Sequence, residues 1–239
     1  MPLLEGKEVT KTFGGLTAVF SADFHIDQGE ILGLIGPNGA GKTTLFNLIS
    51  GAQSLTSGTT WFKGKNITRL KPNQICKRGI SRTFQLIKLF GNMTVLDNVV
   101  LGALFGMSPG IRTPEAKKQS LELLEFLGLS ALETTPAKEL TLVNQKRLEV
   151  ARGLATRPEL LLLDELMAGL NPSEVAQAME LVKRIRERGV TIFMIEHVMK
   201  AIMNVCDRIM VLDHGVKIAE GTPEEITTNR KVIEVYLGE

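Results

Sequence analysis

The segment that decides the fold of this chain reads Gly36-Pro37-Asn38-Gly39-Ala40-Gly41-Lys42-Thr43-Thr44. An apolar run, Ile31 to Ile35, precedes the segment and another, Leu45 to Ile49, follows it, so we predict a glycine-rich loop between a strand and a helix. The backbone N–H groups of such a loop can close around phosphates, and the helix dipole adds positive potential. Lys42 supplies a charge for the β- and γ-phosphates, and Thr43 a hydroxyl for Mg²⁺. The segment therefore predicts a nucleoside triphosphate site.

Length and composition favour one globular domain. The chain has 239 residues, enough to bury a sizeable core but not to hold two independent enzymes. Its net charge of +2 is too small to indicate a nucleic acid partner. No stretch approaches the roughly 20 apolar residues that span a bilayer, and the two cysteines lie far apart, as in reducing compartments. We therefore expect a soluble, cytoplasmic protein that binds no nucleic acid.

Apolar patterning divides the single domain into two parts. Residues 1–72 contain short apolar runs separated by glycine, which indicate strands and turns, whereas residues 73–158 show helical periodicity. After residue 159 the pattern returns to apolar runs without alternation, typical of parallel strands covered on both faces. We therefore predict an α/β core formed by residues 1–72 and 159–239, a mainly α-helical insertion at 73–158, and a short C-terminal helical extension at 222–239.

One helix of the second core segment has both ends marked. Asn171 can cap it, Pro172 suits its first turn and Glu174 occupies the third helical position. Gly189 ends it, and apolar residues recur at helical spacing at Val175, Met179, Val182 and Ile185.

Two carboxylates end the apolar run Leu160–Leu163. Asp164 can reach a Mg²⁺ ion that accompanies the phosphates, and Glu165 can polarise the water that attacks the γ-phosphate. A strand that ends in two solvated acids is common in other proteins, but beside Lys42 and Thr43 the catalytic interpretation is favoured. The pair therefore indicates hydrolysis of the bound triphosphate.

Further motifs stand in the order found in the ATP-binding cassette (ABC) ATPases, and the chain resembles that family over nearly all of its length. Thr12-Phe13-Gly14-Gly15 resembles the adenine-stacking loop, and Arg82-Thr83-Phe84-Gln85 the glutamine loop. Ile195-Glu196-His197-Val198 resembles the switch histidine segment, and Ala168-Gly169-Leu170-Asn171 the dimer-contact loop.

The resemblance implies a P-loop NTPase fold of the ABC type. This fold has a mixed, mainly parallel sheet core, an N-terminal antiparallel β subdomain and an inserted α-helical subdomain. ATP and Mg²⁺ would be the cofactors, and the catalytic residues would be Glu165, His197 and Gln85. Mg²⁺ would contact Thr43, Gln85 and Asp164, partly through water. The nucleotide would contact Phe13, Val19 and the loop residues 36–44.

Several phrases resemble the ATPase subunits of branched-chain amino acid importers, among them Met93–Val99 and Gly221–Ile226. This likeness implies a peripheral position on the inner face of the cell membrane. The implied partners are a second ABC ATPase subunit, transmembrane permease subunits and, indirectly, an extracytoplasmic solute-binding protein. An importer of another small polar solute, such as urea, is the alternative. Soluble cassettes of DNA repair or translation usually carry extra domains, and a kinase would leave Gln85 and His197 without roles.

The chain departs from the family at its signature, Leu-Ser-Gly-Gly-Gln. Leu140-Thr141-Leu142-Val143-Asn144 stands in its place, and Val143 replaces the glycine that approaches the γ-phosphate on the opposite subunit. Valine adds bulk there and resists a positive φ. Leu166 also replaces the family's proline after Glu165. We therefore expect a heterodimer whose partner has an intact signature, with a homodimer, or a nucleotide-gated dimerisation subunit with weak hydrolysis, as alternatives.

The segment from Gln85 to Met107 is rich in apolar residues for a predicted loop. Such residues need a partner or a core. We predict that this segment forms the groove that receives a cytoplasmic helix of the permease, with exposed candidates Leu86, Ile87, Leu89, Phe90 and Met93. Packing inside the helical insertion is the alternative.

Overall fold

The computed structural model describes residues 1–85, 88–106 and 112–237. In chain order its strands and α-helices are β1 (Leu4–Phe13), β2 (Leu16–Ile26), β3 (Ile31–Ile35), α1 (Lys42–Ile49), β4 (Ser57–Phe62), β5 (Lys65–Asn66), α2 (Pro72–Cys76), β6 (Ile80–Arg82), α3 (Val95–Phe105), α4 (Thr113–Phe126), α5 (Leu142–Ala155), β7 (Leu160–Asp164), α6 (Pro172–Glu187), β8 (Thr191–Ile195), α7 (Met199–Val205), β9 (Arg208–Asp213), β10 (Val216–Gly221), α8 (Pro223–Thr228) and α9 (Arg230–Leu237).

The strands form two sheets. The smaller sheet has the order β2-β1-β4-β5, and its neighbouring strands are antiparallel. The larger sheet has the order β10-β9-β3-β8-β7-β6 and is parallel except between β10 and β9. The predicted mixed core sheet and the N-terminal antiparallel sheet are therefore confirmed.

The larger sheet separates two apolar clusters. Successive residues of a strand point to opposite faces, so Leu161 and Leu163 join one cluster while Leu160 and Leu162 join the other. The first cluster includes buried residues of α3 to α7, and the second includes those of α1 and of the smaller sheet. Because both faces are covered, every residue of β3, β7 and β8 is buried, which accounts for their apolar runs without alternation.

The segment 73–158 contains helices α3, α4 and α5 and also one strand of the core. β6 pairs in parallel with β7 through Ile80, Ser81 and Arg82. A strand of three residues is too short to be recognised from periodicity. The division into core and insertion stays a prediction, but this strand belongs to the core sheet.

Helix α6 agrees with the predicted capped helix. The side chain of Asn171 accepts hydrogen bonds from the N–H groups of Ser173 and Glu174, each at 3.0 Å. The helix ends at Glu187, just before Gly189, which has a φ of +86°. Helices α8 and α9 lie in the 222–239 segment. Among the described residues, no helix has the length and apolar character needed to cross a bilayer.

Candidate functional site

Four adjacent strands of the larger sheet end at one edge and place the predicted site residues there. In the order β3-β8-β7-β6, they are followed by the 36–44 loop, by His197, by Glu165 and by Gln85. Parallel strands all present their carboxyl ends at the same edge, where open α/β sheets bind ligands. Residues that are far apart in the chain therefore converge.

The 36–44 loop is shaped for an anion. Gly41 has a φ of +99°, and a Cβ atom there would lie 2.2 Å from the carbonyl oxygen of Ala18, so only glycine fits. Helix α1 begins at the next residue, with no acidic side chain in its first turn and no side-chain cap. Lys42 Nζ donates to the carbonyl oxygens of Gly36 (2.7 Å) and Pro37 (2.9 Å). The N–H groups and dipole of α1, together with Lys42, therefore favour a phosphate group.

A cavity of about 280 Å³ brings most of the predicted site residues together. It is lined by Ala18, Asn38, Gly39, Ala40, Gly41, Lys42, Thr43, Thr44, Gln85, Glu165 and His197. Burial lowers the pKa of Lys42, while Glu165 and Asp164 oppose that shift through their negative charges. The 36–44 loop, the ammonium group of Lys42 and the carboxylate of Glu165 thus share one cavity.

Neither Phe13 nor Val19 lines this cavity. Phe13 is exposed, and Lys11 Nζ lies 4.8 Å from the centre of its ring. Val19 is buried behind the loop, where its Cγ2 atom would lie 3.3 Å from a Cβ on Gly41. Their predicted contacts with adenine stay predictions.

The carboxylate of Glu165 lies between the two other predicted catalytic residues. Gln85 Nε2 donates to Glu165 Oε2 at 3.0 Å, and His197 Nε2 lies 3.0 Å from Glu165 Oε1. The backbone of Glu165 has a φ of +53°, which is unusual for a residue with a side chain. This arrangement holds the carboxylate of Glu165 at the cavity that the 36–44 loop also lines.

Asp164 has one paired and one unpaired oxygen. Arg82 Nη2 lies 2.8 Å from Asp164 Oδ2, and the two side chains are 6% and 1% exposed. Asp164 Oδ1 is buried without a hydrogen-bond partner among the described residues. Burial raises the pKa of Asp164, and Arg82 opposes that shift. An unpaired carboxylate oxygen on the residue next to Glu165 fits a hard cation such as Mg²⁺, and so do the hydroxyl of Thr43 and the amide oxygen of Gln85, which line the cavity.

Arg82 has a structural role that the sequence analysis does not predict. Besides its ion pair with Asp164, Arg82 Nη1 donates to Asn47 Oδ1 at 2.6 Å and to Ser50 Oγ at 3.2 Å. Arg82 therefore ties helix α1 to the end of β7. No local signal in the sequence marked this role, because β6 is too short to be recognised and the partners of Arg82 lie far away in the chain.

The structure corrects the backbone argument about the signature. Thr141 precedes α5, and Val143 lies in the first turn of that helix. Val143 is not among the residues that have a positive φ. The expectation that valine resists a required left-handed conformation is therefore wrong in this chain. The bulk of the half-buried Val143 side chain is the remaining difference from glycine.

The predicted permease segment is only partly described. Leu86, Ile87 and Met107 lie outside the described residues. Phe90 is 49% exposed, whereas Leu89 and Met93 are half-buried and Leu89 packs against the core, so the expectation that the last two are exposed is corrected. A groove beside Phe90 is lined by Ser81, Arg82, Phe84, Lys88, Leu89, Gly102, Glu149, Arg152, Gly153 and Thr156.

Comparison with protein families matches two segments of the chain. Residues 19–168 match the family described as "ABC transporter", and residues 216–239 match the one described as "Branched-chain amino acid ATP-binding cassette transporter". The chain is 41% identical to the high-affinity branched-chain amino acid transport ATP-binding protein LivG of Salmonella typhimurium and 39% identical to BraF of Pseudomonas aeruginosa. Each alignment covers 100% of this chain and 98% of the relative.

Solved structures give the same picture. A nucleotide-free ATP-binding cassette from an ABC transporter superposes with a TM-score of 0.91 at 32% identity, covering all of both chains. The ADP conformation of MJ1267, an ATP-binding cassette of an ABC transporter, superposes at 0.90 and 31% identity with the same coverage. A dimeric post-hydrolysis state of the cassette MJ0796, bound to ADP and phosphate, superposes at 0.83 and 26% identity, covering 92% of this chain and 98% of the other.

Proposed function

Because the chain belongs to the ABC transporter family of ATPases, we propose that it is the ATP-hydrolysing subunit of an importer for branched-chain amino acids. The substrate class is supported by the names of its relatives and by the match of residues 216–239. The position of Glu165, held between Gln85 and His197 beside the phosphate cavity, is the observation that carries the catalytic part.

Each group in the site has a chemical task. The N–H groups of the 36–44 loop and the charge of Lys42 bind the β- and γ-phosphates. Glu165 accepts the proton of the attacking water, while Gln85 and His197 orient the carboxylate. Bound Mg²⁺ would supply positive charge that neutralises the phosphates, and Thr43, Gln85 and Asp164 are the residues that would hold it, partly through water.

The assembly we propose is asymmetric. The site residues Lys42, Glu165 and His197 are present and converge in this chain, whereas Val143 places a branched side chain at the surface that a partner's nucleotide would meet. We propose a second ABC ATPase subunit with an intact signature as the partner. We further propose that the groove beside Phe90 receives the permease and that the chain lies on the inner face of the cell membrane. An extracytoplasmic solute-binding protein would be an indirect partner.

The test uses the complete transporter in lipid vesicles. The solute-binding protein is expected to stimulate ATP hydrolysis and uptake when leucine is supplied. It is not expected to stimulate them when urea is supplied instead. Equal stimulation by urea would assign the complex to another small polar solute. ATP binding without turnover would assign the chain to nucleotide-gated dimerisation instead.

The Glu165→Gln variant tests the catalytic role separately. The amide keeps the shape of the side chain but cannot accept the proton, so ATP binding is expected to persist while turnover falls. Glu180→Gln makes the same chemical change on an exposed position of α6 and is expected to behave as the wild type. Wild-type turnover in Glu165→Gln would contradict the assignment.

A further inference from the structure

The catalytic carboxylate rests on a short loop whose backbone needs support. Glu165 has a φ of +53°, a conformation that is unfavourable for a residue with a side chain and persists only when its surroundings hold it. The loop continues as a turn, in which the N–H group of Ala168 donates to the carbonyl oxygen of Glu165 at 3.3 Å. Leu166 is the second residue of that turn and has no ring to fix its φ.

Two buried, oppositely charged side chains bind the backbone on either side of Leu166. Lys146 Nζ, on α5, donates to the carbonyl oxygen of Glu165 at 2.8 Å. Glu196, which follows β8, accepts a hydrogen bond from the N–H group of Met167 at 2.7 Å through Oε1. Lys146 and Glu196 are 7% and 2% exposed, so both side chains make these contacts away from water.

Burial disfavours the charged form of both side chains. Burial raises the pKa of Glu196 to about 7, and the N–H group of Met167 and the charge of Lys146 oppose that shift. Burial also lowers the pKa of Lys146, and Glu196 is the largest opposing charge. Each of the two charges therefore stabilises the other, and loss of one weakens both anchors of the loop.

We propose that Lys146 and Glu196 form a backbone clamp on residues 165–167 and act as positioning residues for Glu165. They restrain the backbone that a proline ring at position 166 would otherwise restrain. This proposal rests on the proposed function in one respect: it takes Glu165, the residue that the clamp positions, to be the base of ATP hydrolysis.

The clamp also connects two parts of the molecule. Lys146 lies one turn after Leu142 and Val143 on α5, and those residues occupy the surface proposed to meet the partner's nucleotide. Lys146 therefore links the start of α5 to the backbone of Glu165.

The kinetic test compares two substitutions of Lys146 in the assembled transporter. Lys146→Met keeps the length of the side chain and removes the donor, and it is expected to lower kcat by about 10- to 100-fold, as for a misplaced catalytic group. The KM for ATP is expected to change less than about twofold, since the phosphate-binding groups are untouched. Lys146→Arg keeps a charged donor and is expected to restore kcat. A normal kcat in Lys146→Met, or a parallel loss of ATP affinity without rescue by arginine, would overturn the proposal.

A second substitution tests the mechanism of the clamp. Proline suits the second position of this turn and fixes φ without any donor. The double variant Lys146→Met with Leu166→Pro is therefore expected to regain much of the kcat lost in Lys146→Met. If Leu166→Pro leaves the deficit unchanged, Lys146 does not act through the conformation of this turn.

Hydrogen exchange tests the clamp independently of the proposed transport function. In the purified full-length chain without nucleotide, the N–H groups of Met167 and Ala168 are expected to exchange faster in Lys146→Met than in the wild type. Glu196→Gln supplies the same measurement if Lys146→Met does not fold. Unchanged exchange would refute the clamp, whereas faster exchange in a chain that supports no transport would refute only the proposed function.

Discussion

Replacing Arg82 with methionine is expected to destabilise the fold, because Asp164 would keep a buried charge without a partner. The two side chains are 6% and 1% exposed and their charged atoms lie 2.8 Å apart, while Asp164 Oδ1 already lacks a partner among the described residues. Removing one member of such a buried pair costs about 3 to 5 kcal/mol of unfolding free energy. With a urea dependence of about 2.5 kcal/mol per molar, the unfolding midpoint falls by about 1 to 2 M.

A double-mutant cycle and a change of pH distinguish the ion pair from simple loss of packing. Asp164→Asn removes the charge, so Arg82→Met with Asp164→Asn is expected to cost about 2 kcal/mol less than the sum of the single variants. In Arg82→Met the folded pKa of Asp164 lies still further above its unfolded value, because Arg82 no longer opposes the effect of burial. The folded state then binds a proton that the unfolded chain has released, so stability falls as pH rises.

The assay is urea unfolding of the purified full-length chain, followed by circular dichroism without Mg²⁺ or nucleotide. The deficit of Arg82→Met is expected to be larger at pH 8 than at pH 5. Additive single-variant costs, together with an equal deficit at both pH values, would refute the ion-pair argument.

Three other outcomes follow from the same site. Lys42→Ala is expected to weaken ATP binding by about 1.5 to 3 kcal/mol, the contribution of a charge-assisted contact, and unchanged affinity in calorimetry would contradict the assignment of the loop. Val143→Gly with Asn144→Gln is expected to raise turnover at the site built on the partner's P-loop, measured in mixed complexes, and no change would show that the bulk of Val143 is harmless. Phe90→Cys is expected to cross-link to a cytoplasmic loop of the permease, whereas Phe20→Cys, which is also exposed but lies on the smaller sheet, is not; absence of any cross-link would argue against the groove.

The sequence predicts those features that are governed by local rules. The 36–44 loop was recognisable because glycine, lysine and threonine stand at fixed spacings between a strand and a helix. Helix α6 was recognisable because Asn171 and Glu174 bond to each other's backbone over three residues. The convergence of Glu165, Gln85 and His197 was expected only from the family resemblance, and the structure supplies its physical cause, the shared edge of adjacent parallel strands.

The features that sequence reasoning missed depend on partners that are distant in the chain. Arg82 meets Asp164, 82 residues later, and Lys146 meets the carbonyl oxygen of Glu165 rather than a side chain. No local pattern distinguishes these buried charges from solvated ones on a helix or at a strand end. The error about Val143 had a different cause. Val143 has a helical φ because α5 begins at Leu142, and the first residue of a helix can be predicted from sequence only to within a few residues.

The position of β3 in the larger sheet also has a consequence for biosynthesis. Both neighbours of β3 come from the last third of the chain, β8 on one side and β9 on the other. While the ribosome is still translating residues before Thr191, the strand that leads into the 36–44 loop has neither of its sheet partners, and only Leu32 and Leu34 can pack against α1 and the smaller sheet. Pairing across so long a separation is slow. The strand that leads into the 36–44 loop therefore pairs with its neighbours in the larger sheet only after residues 191–213 have been synthesised, which is later than the emergence of the loop itself.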